Sequence, residues 1–101
     1  MSDLEDKDYE REFTREPIRV KAEIMIDGGW HDCVVTNISP FGARLYAGLK
    51  ANLGTAVPIK IGESGKLSAT VIWIQGDEIG VKFDDDQSEI ARVLIELALH
   101  Q

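Results

Sequence analysis

Cysteine is nearly absent. Cys33 stands alone in 101 residues, so no intrachain disulfide can form. The fold must rest on apolar burial, in what reads as a reducing, cytoplasmic setting. Histidine is almost as scarce: His31 and His100 lie far apart, and no helical stretch sets two metal ligands at i and i+4. The sequence therefore predicts no metal site and no cofactor. His31 and Cys33 fall on the same side of one extended run, but no third group is placed to orient them as base and nucleophile. No catalytic residue and no enzyme are expected. Long hydrophobic runs are missing too. Nothing approaches the roughly 20 apolar residues of a membrane-spanning helix, and residues 1–16 are too charged to read as a secretory leader, so no membrane insertion is expected. Basic residues are outnumbered, 11 Lys and Arg against 18 Asp and Glu, for a net charge of −7. A nucleic-acid polymer is held by many basic contacts to phosphate and is not the expected partner. A single small anion is different: a few converging arginines suffice, and Arg11, Arg15 and Arg19 form such a local group.

What the chain does have is alternation. Residues 1–10 are a polar, acidic tail expected to be mobile, and 11–101 form one domain whose first stretch, 11–16, is an arm carrying Phe13. Pro17 ends any helix before it and opens extended chain. Ile18, Val20, Ala22, Ile24 and Ile26 then alternate with polar residues, the mark of a strand with one wet face. Asp27-Gly28-Gly29 is a hairpin signal. Further strands are predicted at about 30–38, 42–47, 56–61, 66–75 and 79–83. The run 66–75 is expected to be the longest, and Pro58 argues that 56–61 lies at an edge or barrel rim. The period then lengthens. Asp86 and Glu89 form a capping pair, and Ile90, Val93, Leu94 and Leu97 follow at helical spacing. Asp84 and Asp85 join Asp86 as an acidic helix start rather than a cation site. The fold class is all-β with one helix: a six-stranded antiparallel β-barrel with a C-terminal α-helix. Trp30 and Trp73 lie in strands and read as core or rim residues.

One turn stands apart. Residues 36–45 carry Asn37, Ser39, Pro40 and Gly42 between two apolar runs. Asn and Ser supply side-chain hydrogen bonds to backbone or ligand, and Gly permits positive φ or close approach. Some twenty residues earlier come Arg11 and Arg15, four apart. A guanidinium forks onto the O6/N7 edge of guanine, binds phosphate, or stacks on a base. Two of them opposite an Asn/Ser/Gly turn could enclose a guanine nucleotide.

Arg11-x-x-x-Arg15, then Asn37-x-Ser39-x-x-Gly42, then Ile79-Gly80-Val81-Lys82-Phe83 resemble a PilZ domain over about residues 11–99. The resemblance implies a bacterial six-stranded barrel with a C-terminal helix, and for many members a receptor for the second messenger cyclic di-GMP. It implies ligand-binding roles for Arg11 and Arg15 as clamps on guanine and phosphate, and for Asn37 at the guanine edge. Ser39 would supply a hydroxyl contact, and Gly42 the room for the ligand. Glu12 departs from the many members that have a second arginine there, and beside a dianionic ligand an acid should weaken binding or alter how many ligands stack. Arg19 and Arg44 have no motif position. The function implied is an adaptor that passes cyclic di-GMP state to an unidentified output protein. The alternative is a PilZ-like protein-interaction module that does not bind the nucleotide.

Overall fold

The computed structural model describes residues 16–48, 50–63 and 65–99, with side chains from Arg19 onward. Seven strands and one helix follow in order: β1 Glu16–Ile26, β2 Gly29–Ile38, β3 Gly42–Tyr46, β4 Ile59–Ile61, β5 Gly65–Leu67, β6 Ala69–Gln75, β7 Glu78–Phe83 and α1 Gln87–Leu99. They form one antiparallel sheet in the order β5-β4-β1-β2-β3-β7-β6. Asp27 and Gly28, at φ 54° and 82°, make the two-residue turn between β1 and β2. Positive φ at both positions is the primed geometry that matches strand twist.

The sheet's two edge strands, β5 and β6, are separated in sequence by Ser68 alone. The run 66–75, expected as one long strand, is therefore two strands at opposite ends of the sheet, and β1 with 11 residues is the longest. Ser68 breaks the ladder because the stretch after β7 takes its backbone. Its N–H donates to Asp85 Oδ1 at 2.5 Å, and its carbonyl accepts from the Asp84 N–H at 2.9 Å. Two edges tied this closely force the sheet to curl, and residues 54–57 close it. Val57 N–H bonds the Ala69 carbonyl at 2.8 Å, Val71 N–H the Thr55 carbonyl at 3.0 Å, and Gly54 N–H the Val71 carbonyl at 2.8 Å. Beyond Pro58 the same segment leaves β6 and becomes β4 against β1. Pro58 thus sits where the chain changes partners, a place that needs no ladder N–H, while its carbonyl accepts from Met25 N–H.

The faces that alternation predicts as inward in β1, β3, β4 and β7 are the observed ones, while β2 and β6, for which no inward face is predicted, bury Cys33, Val35 and Val71. Ala22, Ile24, Cys33, Val35, Leu45, Val57, Ile59, Ile61, Val71, Ile79, Val81 and Phe83 are buried, and Ile90, Val93 and Leu97 of α1 pack onto them. Asp86 caps the helix, its Oδ1 accepting from Glu89 N–H at 3.1 Å. Among the described residues, no helix is long and apolar enough to cross a membrane.

Replacing the cap tests the helix assignment. Asp86→Ala should cost about 0.5–2 kcal/mol, read as a lower urea midpoint at unchanged slope, and Asp86→Ser should recover most of it.

Candidate functional site

The turn after β2 is built by Ser39. Its N–H donates to the Gly42 carbonyl at 2.9 Å, and its hydroxyl oxygen accepts from Phe41 N–H at 3.2 Å and Gly42 N–H at 3.4 Å. The turn is then pinned to the strand and helix that follow. Phe83 N–H bonds the Phe41 carbonyl at 2.9 Å, and Gln87 Nε2 reaches the Pro40 carbonyl at 3.4 Å. Gly42 is required by packing, not by φ. A Cβ there would lie 2.1 Å from the Val81 carbonyl oxygen, so β3 and β7 can pair only if this side chain is missing. The room it leaves is filled by the neighbouring strand, which differs from the ligand space that the resemblance assigns to it.

Two bulges decide what faces the groove beside this turn. In the β2–β3 ladder Val35 opposes Leu45, and one extra residue brings Asn37 opposite Arg44. In the β6–β7 ladder Val71 opposes Val81, and one extra residue brings Trp73 opposite Gly80. Since Arg44 also opposes Gly80, the row across the sheet reads Asn37, Arg44, Gly80, Trp73. A bulge re-aims side chains in this way, and bulges gather beside functional sites. The indole lies flat against Gly80: a Cβ there would be 2.0 Å from Trp73 Nε1. The Arg44 guanidinium sits over the same ring, 5.7 Å from its centroid, a cation–π contact of about 0.5–1 kcal/mol at an exposed site.

These residues line an open groove of about 250 Å³ together with Ser39, Gly42 and Lys82. Its cations are Arg44 and Lys82, the latter 3.8 Å from Asp84. Among the described residues, none hydrogen-bonds the Asn37 side-chain amide, so its donor and acceptor face the groove unspent. Asn37, Ser39 and Gly42 are therefore brought together as the spacing implied. Arg11, Glu12 and Arg15 lie outside the described residues. β1 nevertheless begins beside the turn, with Glu16 opposite Ile38 and Pro17 opposite Asn37. Trp73, taken from sequence as core or rim, is a groove wall, and Arg44 and Lys82 join it. The available signal was Gly80: a glycine inside an otherwise apolar strand marks close approach of another group.

Away from the groove, Cys33 is buried, and burial with Asp32 and Glu23 nearby pushes its thiol up to about 11. It stays protonated and unreactive at neutral pH. Among the described residues, no group of three His, Cys, Asp or Glu could hold a metal ion.

The wall has a direct test. Gly80→Ala should push Trp73 off the strand, costing about 1–3 kcal/mol of stability and changing the near-ultraviolet circular dichroism of the indole. An unchanged spectrum would contradict this packing.

Comparison with known proteins agrees with this geometry. The family model described as the PilZ domain matches residues 9–100. Among solved structures, the chain is similar to the crystal structure of the PilZ domain of CeSA from a cellulose-synthesizing bacterium. That likeness has a TM-score of 0.63 at 20% identity, covers 86% of this chain and 98% of that one, and is a likeness of fold. No curated protein matches. A barrel with its edges joined at Ser68, the Asn37–Gly42 turn on its surface and a family match over nearly its whole length lead to one conclusion: the chain belongs to the PilZ domain family.

Proposed function

We propose that this protein is a non-enzymatic cytoplasmic receptor for cyclic di-GMP that passes ligand state to a partner protein. The observation that carries the reading is the row Asn37, Arg44, Trp73 beside the Ser39 turn, at the point where β1 begins. Each part suits a different part of a cyclic guanine dinucleotide. An Asn amide pairs with a base edge, an indole face stacks on a base, and guanidinium groups fork onto guanine or phosphate. Ser39 spends its lone pairs on the turn, and its hydroxyl donates to the Gly42 carbonyl at a long 3.5 Å, a bond it could exchange for a phosphate oxygen. Gly42 acts indirectly, by letting β3 and β7 pair so that the row exists at all.

The groove also needs another wall. At about 250 Å³ it falls below the roughly 300–1,000 Å³ usual for small-molecule sites. In the sequence Arg15 directly precedes β1, whose start lies beside the turn, and Arg11 is four residues further back. Binding that draws Arg11 and Arg15 onto the ligand would change the surface presented beside the turn, which is the change a partner could detect.

A second reading, a PilZ-like interaction module that does not bind the nucleotide, has one observation in its favour. Ser39 and Gly42 both have structural reasons to be present without any ligand. Isothermal titration with cyclic di-GMP separates the two readings. The receptor reading expects saturable heat, and loss of about 1.5–3 kcal/mol for Arg11→Ala or Arg15→Ala, roughly ten- to a hundredfold in affinity. Asn37→Ala should weaken binding while leaving the thermal midpoint of the free protein in place. No heat from the wild-type protein would favour the interaction module.

A further inference from the structure

Among the described residues, no carboxylate lines the groove. Its absence bears on which base the groove accepts. The Watson–Crick edge of guanine sets two donors side by side, N1–H and N2–H, next to the O6 acceptor. A carboxylate only accepts. It therefore matches that pair of donors and is repelled by adenine, whose edge puts the N1 lone pair beside the N6–H donor. An amide carries an acceptor and a donor in one plane. It pairs with guanine through N1–H and O6, and turned over it pairs with adenine through N6–H and N1 or N7.

Asn37 supplies such an amide, half-buried in the groove and opposite Arg44 in the ladder. The polar groups around it are engaged. The Thr36 hydroxyl donates to the Arg44 carbonyl at 3.3 Å, and the Ser39 hydroxyl serves the turn. Arg44 sits over the Trp73 ring, and Lys82 is 3.8 Å from Asp84. Among the described residues, the Asn37 side chain is thus the groove's one polar group with donor and acceptor both unspent. The other walls read no base edge. Trp73, with Phe41 and Ile72 exposed at 66% and 54%, offers faces, and contact with a face accepts any base. We infer that the groove recognises purine cyclic dinucleotides as a class, because Asn37 pairs with adenine as well as with guanine, and that the residue type at position 37 sets the preference between them. The inference rests on the receptor reading for a cyclic dinucleotide in the groove and goes beyond it in the base.

Calorimetric titration of the full chain with cyclic di-GMP and with cyclic di-AMP tests it, on the wild-type protein and on Asn37→Asp. The ratio of the two affinities is the readout. The general cost of a carboxylate beside two phosphates, or of a partly unfolded sample, falls on both ligands alike and cancels. The wild-type protein should bind the two rings within about tenfold of each other, and Asn37→Asp should widen the preference for guanine by roughly ten- to a hundredfold. Cyclic di-AMP bound more than about tenfold more weakly than cyclic di-GMP by the wild-type protein would overturn the inference without any variant. A ratio left unchanged by Asn37→Asp would overturn it too, and would assign the reading of guanine to arginines, which fork onto O6 and N7 as they do onto phosphate. Binding of cyclic di-GMP alone sinks this inference and keeps the receptor reading, whereas binding of neither ring sinks both.

Discussion

One residue constrains the whole molecule. Ser68 is the only link between strands that stand at the two ends of a seven-stranded order, so the sheet has to bend until its edges nearly meet. Asp84 and Asp85 hold Ser68 from outside the ladder, and residues 54–57 fill the remaining gap with three backbone hydrogen bonds to β6. Closure removes the edges that would otherwise invite pairing with another chain. It also gives the interior a single apolar filling, on which one face of α1 rests. The acidic run 84–86 is best understood here. Asp84 accepts from the Thr70 hydroxyl at 2.6 Å, Asp85 holds Ser68, and Asp86 caps the helix. Three adjacent carboxylates thus perform three structural tasks.

A curled sheet with regular ladders would place Asn37 and Trp73 one residue out of line. The two bulges correct this on both sides of the β3–β7 pair, and Gly80 completes the arrangement by accepting the indole where any Cβ would collide. The groove is thus a product of the sheet's irregularities, supported by rigid strands on either side. Its electrostatics follow from position: in a chain of net charge −7, Arg44 and Lys82 face one opening. A local cationic site on an acidic protein suits a small anion and disfavours a polyanion, because long-range repulsion grows with the partner's charge.

Much of this was legible in the amino-acid sequence. Period-two runs located the strands and their inward faces, Asp27-Gly28 the first hairpin, and Asp86 with its helical followers the C-terminal helix. The Asn37-x-Ser39-x-x-Gly42 spacing pointed to a turn that lines the groove. The break at Ser68 was not legible, because Leu67, Ala69 and Val71 are buried in unbroken alternation across it. Only hydrogen bonds from the distant residues 84 and 85 interrupt the strand there. The bulges were hidden for a related reason. Inserting one residue shifts the pairing without leaving a local mark, so Trp73 kept the appearance of an ordinary strand residue. At Gly42 the structure shows a cause that the spacing did not suggest, since the group that needs its missing side chain is the Val81 carbonyl.

The central claim is that the surface row of Asn37, Arg44 and Trp73 receives a guanine nucleotide. Trp73 can report on it directly. The other tryptophan, Trp30, lies under Lys60 with the ammonium 4.3 Å from its ring, and it does not line the groove. In a Trp30→Phe protein the remaining indole emission should be quenched saturably by cyclic di-GMP, and the same titration on Asn37→Ala should shift to higher concentration. Emission that stays constant while calorimetry records binding would place the nucleotide elsewhere on the barrel and contradict this account.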